Sequence, residues 1–177
     1  MRHAGRARCS SVLAVLSCVF LLGVVLIALG VITPSRAVAS EWGLITPGTS
    51  TTATVKAQYG DPTRISPGKL EGYDTVQWLY EGPQAPVGMS RMTIDFGLLT
   101  ESGYRADVVR TFRLEPKPGI FTRETIVMGW GPPARAGRQD DVPVFFYEEG
   151  LIVFFDAEGW LAESMLFAMP QQKPSGR

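Results

Sequence analysis

The chain has 177 residues, and its 17 lysines and arginines balance 17 aspartates and glutamates, so the formal net charge is zero. The first 39 positions contain four arginines and no acidic residue, which leaves 13 basic and 17 acidic residues in positions 40–177. This acidic body lacks the clustered basic residues that nucleic acid or anionic lipid attracts, so we expect no nucleic-acid partner.

The residue inventory of the body also excludes several kinds of site. The only histidine is His3, and the only cysteines are Cys9 and Cys18. Positions 40–177 therefore contain no Ser-His-Asp triad, cysteine nucleophile, disulfide framework or structural zinc site. Adjacent acids such as Asp140-Asp141 are typical of solvated turns and lack the spacing of a calcium loop. We predict no catalytic residue, no cofactor, no metal and no enzymatic activity.

The first 39 residues have the three parts of a signal peptide. Basic residues precede an apolar run at residues 12–32, and a small-residue site ends at Ala39. Cleavage there would start the mature chain at Ser40. The apolar run is also long enough to span a bilayer as a helix, so an uncleaved signal anchor is the alternative. In both cases the positive flank places the body outside the cytoplasm.

The body contains two copies of one pattern. Residues 59–64 align with residues 130–135, and both segments read aromatic, glycine, any, proline, any, arginine. Farther along, residues 78–81 align with residues 145–148 as two aromatic-rich runs that each end in Tyr-Glu. Self-similarity at this period indicates two copies of one supersecondary unit.

Each copy predicts a short helix followed by strands. Threonines and serines at residues 50–52, and Thr122 in the second copy, are candidate N-caps, while Gly60 and Gly131 with the prolines after them end the helices. A polar loop is predicted after each helix. Alternating apolar residues then predict strands at residues 75–80, 91–99, 104–114, 144–147, 151–156 and 161–169. The last three strands are expected to form an antiparallel meander.

The predicted fold class is therefore α+β. It consists of two tandem repeats, each a helix plus a three-stranded antiparallel sheet, after an N-terminal signal or transmembrane helix. The repeats are expected at residues 43–116 and 117–170, with residues 171–177 as a disordered tail.

The order of these motifs resembles the SmpA/OmlA (BamE-like) domain of bacterial envelope proteins. The resemblance rests on Gly48-Thr49, the helix that ends at Gly60-Asp61-Pro62, Trp78-Leu79-Tyr80 and Phe96-Gly97, with a second set from Thr122 to Gly159. It implies a small extracytoplasmic domain that binds or supports another protein, and it implies no catalysis. The tandem arrangement is also similar to that of secreted β-lactamase-inhibitory proteins. The envelope lipoproteins are anchored by a lipidated cysteine, whereas Cys18 lies inside the apolar run and is a poor match to that motif.

Aromatic residues are the best candidates for recognition. Those at equivalent positions of both copies, such as Trp78 and Phe145, are predicted to be core. Trp42 and Trp160 have no repeat partner, so we predict that they bind a partner.

The sequence thus predicts a non-catalytic, exported bacterial envelope protein that acts through contacts with another envelope protein. Its N-terminal helix would attach it to the membrane if uncleaved, and cleavage would make it secreted or periplasmic. The alternative is a secreted ligand-binding or enzyme-inhibitor module that uses the surface between the two repeats.

Overall fold

A computed structural model describes residues 42–170. The predictions about the signal segment, the apolar helix at residues 12–32, cleavage after Ala39 and the tail at residues 171–177 lie outside the described residues. Within residues 42–170, no helix is both long and apolar enough to cross a membrane.

The described residues form one antiparallel sheet of eight strands and two short α-helices. The strands lie in the order β1-β2-β3-β4-β8-β7-β6-β5, and a 3-10 turn at Gly82–Gln84 separates β2 from β3. In chain order, the elements are α1 (Thr52–Tyr59), β1 (Arg64–Leu70), β2 (Tyr73–Glu81), β3 (Met89–Thr100), β4 (Gly103–Pro116), α2 (Arg123–Trp130), β5 (Arg135–Gln139), β6 (Val142–Phe146), β7 (Leu151–Phe155) and β8 (Ala162–Ala168).

The predicted fold class, two tandem repeats of a helix plus three strands, is wrong. Each helix is followed by four strands, and β4 pairs with β8, so that a single sheet dominates the fold. The segments predicted as polar loops after the helices contain β1 and β5, which form the two edges of this sheet. Every residue of β5 is exposed, and β1 contains Pro67 and Gly68. Edge strands commonly carry charges and proline, so neither shows the apolar alternation on which the prediction depended.

The predicted helices are confirmed, together with their caps. The Thr51 hydroxyl accepts a hydrogen bond from the Thr54 amide (3.4 Å), and the Thr122 hydroxyl accepts one from the Thr125 amide (3.1 Å). Both helices end at a glycine with a positive φ angle, which side-chain-bearing residues rarely adopt. The meander of β6, β7 and β8 is also confirmed.

A tyrosine hydroxyl connects the sheet to the end of each helix. The Tyr80 hydroxyl donates a hydrogen bond to the Gly60 carbonyl, and the Tyr147 hydroxyl donates one to the Gly131 carbonyl, each at 3.1 Å. Both rings are buried. Each tyrosine thus satisfies a backbone carbonyl that the helix end leaves without an intrahelical partner.

The helix side of the sheet is the core. In the first half, the Trp78 and Phe96 rings meet edge to face with their centroids 4.8 Å apart, and Phe145 and Phe155 do the same at 4.9 Å in the second half. Those four rings are buried. The aromatic residues that recur in both copies are therefore core residues, as predicted.

The two halves join through β4 and β8. Phe112 and Phe167 are directly paired, and their rings stack with centroids 4.5 Å apart and an interplanar angle of 5°. Leu114 pairs with Met165 beside them, and all four side chains are fully buried. The helix side of the joint is thus closed, and the core is continuous across both halves.

The other face of the sheet carries no helix, and its two halves differ. On the first half, the Asp95 carboxylate accepts hydrogen bonds from Gln77 (2.9 Å) and Thr111 (3.0 Å). On the second half, strand register places Ile152 and Leu166 side by side as half-buried apolar residues. This face therefore carries a polar cluster on β2–β4 and an apolar pair on β7 and β8.

We expect Tyr80→Phe to lower the free energy of unfolding by about 1 kcal/mol, because the Gly60 carbonyl loses its donor. Urea unfolding of the purified protein measures this change. Tyr73→Phe is the matched control, since Tyr73 is exposed and stacks on Tyr104 through its ring. A loss from the control equal to that from Tyr80→Phe would contradict this account.

Alkaline unfolding provides a second measurement on the same variant. Burial, with smaller contributions from Asp61 and Tyr59, raises the pKa of Tyr80 from 10.0 to about 12. A raised pKa means that the folded state binds the proton more tightly, so this contribution to stability is complete below pH 10 and is lost as the pH rises towards 12. Tyr80→Phe removes this titration and should make the alkaline loss of stability shallower.

We expect Phe167→Ala to destabilise the protein by about 3–5 kcal/mol, because it leaves a cavity at the joint that the paired backbones cannot close. Phe154→Ala, on the open face of β7, is the control and should cost clearly less, since that ring is only half buried. Thermal and urea unfolding of both variants measure the difference. Two separate unfolding transitions in the wild-type protein would show that the halves are independent, contrary to this prediction.

Candidate functional site

An accessible apolar surface lies beside α2. An open groove of about 650 Å³ runs there with mostly apolar walls. Met128 is 71% exposed and Trp160 is 68% exposed, although both are large apolar side chains. The groove is lined by residues 122–124, Val127, Met128, Trp160 and Leu161.

The backbone holds Trp160 firmly while its side chain points outward. Its amide donates a hydrogen bond to the Asp156 carboxylate (2.7 Å), and its carbonyl accepts one from the Arg123 amide (2.8 Å). Gly159 precedes it with a φ angle of +79°, which closes the turn after β7. These contacts fix the Trp160 backbone at the start of α2, where its indole is exposed.

The opposite wall of the groove belongs to α2. Val127 packs against the core, whereas Met128, the next residue, projects from the exposed side of the helix. The Arg123 guanidinium lies over the Phe145 ring, 4.7 Å from its centroid. Such a cation–π contact uses the arginine stem as cover for the core.

The two predicted partner-binding residues lie in different surroundings. Trp160 is exposed in the groove, as described above. Trp42 stacks on Tyr59 with centroids 6.3 Å apart and an interplanar angle of 9°, and it packs against the core. Trp42 is thus half buried beside α1, and the structure does not place it with Trp160.

Met128 is an exposed groove residue that the predictions from the sequence did not include. It follows Val127 in a helix whose other apolar positions face the core. A helix of two turns is too short for the spacing of its apolar residues to show that one of them is exposed. A comparison of the two copies could have found it, because Ala57 occupies its position in the first copy.

Four aspartates of the body take part in local backbone or side-chain structure. Asp95 is held by Gln77 and Thr111 on the open face, and Asp156 binds the Trp160 amide. Asp140 and Asp141 form the turn between β5 and β6 with positive φ angles. Across residues 42–170, no three acidic, histidine or cysteine side chains come together as a metal site would require.

Comparisons with known proteins identify no family. No protein-family profile and no curated protein matches the sequence. Among solved structures, the chain is similar to a DUF4309 family protein (YjgB) from Bacillus subtilis, with a TM-score of 0.46 and 18% sequence identity over 73% of this chain and 84% of that one. Similarity this low supports no conclusion about function.

We expect Trp160→Ala to change the free energy of unfolding by no more than about 0.5 kcal/mol, because an exposed side chain removes little apolar area from water on folding. Trp78→Ala, at the buried contact with Phe96, should cost about 3–5 kcal/mol. Urea unfolding of the two variants measures the contrast. A loss of several kcal/mol from Trp160→Ala would show that this indole is part of the core.

Proposed function

We propose that this protein is an exported, non-catalytic module that binds another protein of the bacterial envelope. The observation that carries the proposal is the pair of exposed side chains, Met128 and Trp160, in an apolar groove. Tryptophan is among the residues most enriched at the energetic centre of protein interfaces, and methionine is also enriched at interfaces. A rigid sheet with a full core provides the support that such a surface needs.

The sequence supports the same proposal from other directions. The basic and apolar N-terminal segment has the parts of an export signal, so the proposed location is outside the cytoplasm, anchored in the membrane or released by cleavage. The resemblance to the SmpA/OmlA domain implies a scaffold or assembly accessory.

A ligand-binding or inhibitor module is the second candidate, and the groove volume is the observation that favours it. A volume of about 650 Å³ lies in the range of small-molecule sites. Such sites usually enclose most of their ligand, however, and this groove is open to solvent. The joint between the halves offers no alternative on its helix side, because Phe112 and Phe167 fill it.

The proposal predicts that a protein partner co-purifies with the full-length chain. Reversible chemical cross-linking in cells of the native bacterium, followed by capture through a C-terminal tag, should recover one envelope protein in comparable molar amount. A tagged unrelated exported protein of similar size is the control for background.

Recovery of the chain alone, with a bound small molecule in native mass spectrometry, would support the second candidate instead. A monomer that carries neither protein nor ligand would overturn both.

A further inference from the structure

The backbone around the groove beside α2 has a counterpart beside α1, because the two halves repeat the same bridges between helix start and strand. An isolated bridge joins Thr51 to Val108 at the start of α1, and an equivalent bridge joins Thr122 to Leu161 at the start of α2. A residue of α1 therefore corresponds to the residue of α2 that lies 71 positions later in the chain. A residue of β4 corresponds to the residue 53 positions later, in or just before β8.

The strand correspondence extends into the joint. Phe112 pairs with Phe167, and Leu114 pairs with Met165. With a separation of 53 residues, Phe112 corresponds to Met165 and Leu114 corresponds to Phe167. Each of the two pairs is therefore the equivalent of the other, as a two-fold arrangement of the halves requires. Each residue beside α2 can thus be compared with the residue at the equivalent position beside α1.

The two exposed apolar residues of the groove have no large apolar counterpart in the first half. Met128 takes the place of Ala57, and Trp160 takes the place of Asp107. Both Ala57 and Asp107 are exposed. Since the first half folds with a small residue and a charged residue at these positions, the fold itself does not require methionine and tryptophan there.

Three glutamates that lie in the groove lining or within two residues of it in sequence form its acidic border. Glu124 lies in the first turn of α2, and Glu158 and Glu163 are exposed two residues before Trp160 and two residues after Leu161. The lining also includes one cation, Arg123, whose guanidinium lies over the Phe145 ring. In the first half, the position of Glu124 is taken by Ala53 and that of Glu163 by Arg110, so these two glutamates are specific to the second half.

We propose that this groove binds a partner segment in which an apolar side chain is flanked by lysine or arginine. This inference rests on the proposed function and names the chemistry of the partner. Met128 and Trp160 would cover the apolar side chain, and the glutamates would attract the flanking cations. The same groove on a second copy of this chain would bring like charges together, and an anionic bilayer would meet the same repulsion.

Site-specific photo-cross-linking tests the location and the chemistry together. A photoreactive phenylalanine is placed at position 128 or 160 of the full-length chain in native cells, and at position 87 as the control. Val87 is 99% exposed, in the loop before β3 and outside the groove lining. We expect adducts from positions 128 and 160, and none of the same species from position 87. Mass spectrometry of the adduct should identify a peptide with an apolar residue beside lysine or arginine.

Charge variants then test the acidic border. Glu124→Lys combined with Glu163→Lys should reduce the adduct at position 160 by about tenfold or more, because close charge pairs at an interface contribute roughly 1.5 kcal/mol or more. The matched variant, Glu124→Gln with Glu163→Gln, should give an intermediate yield. Both glutamates are exposed, so circular dichroism should show that the variants are folded.

Several outcomes would overturn the inference. They are an adduct with another copy of this chain, an adduct with lipid, a yield that the charge variants do not change, and an adduct only at position 87. An adduct with a partner protein at position 87 alone would leave the proposed function standing while removing this site. Absence of any protein partner, both here and in the capture experiment, would remove the proposed function itself.

Discussion

The pairing of β4 with β8 is the contact on which the rest of the structure depends. Each half has only one short helix to cover its four strands, and a two-turn helix is marginal without a sheet to pack against. Stacking Phe112 on Phe167 makes one core out of two small ones, and it removes two sheet edges from solvent. The remaining edges, β1 and β5, can then be polar and exposed. Both helices pack on the continuous sheet that results, and the tyrosine hydrogen bonds connect the helix ends to it.

The sequence was sufficient to predict the parts that repeat and alternate. The second helix begins after Thr122 and ends before Gly131, as the capping chemistry of these residues predicts. The aromatic residues that recur in both copies, such as Trp78 and Phe145, are buried. These signals are local, since a cap or an alternating strand depends on neighbours within a few residues. They are also doubled, so each copy supports the interpretation of the other.

The parts that could not be predicted depend on contacts distant in sequence or on polar strands. β5 is five exposed residues that include two arginines and a glycine, and only its pairing with β6 makes it a strand. Whether β4 pairs with β8 decides if the halves form one sheet or two. The apolar patterns around Phe112 and Phe167 are compatible with both arrangements. For the same reason, sequence analysis selected Trp160 for the candidate site but not Met128, whose exposure follows from how α2 is oriented on the sheet.

Duplication explains how an exposed apolar groove can exist on a stable fold. The two halves share the contacts that hold each helix to the sheet. The hydrogen bonds of Tyr80 and Tyr147 are an example, since they have the same length and the same position in each half. Positions outside that shared set are free to differ, and the differences around Met128 and Trp160 change size, polarity and charge together. A structural need would act on both halves alike, because both meet the same backbone. The fold therefore does not require the chemistry found in the second half alone, and the proposed binding of a partner at the groove would account for it.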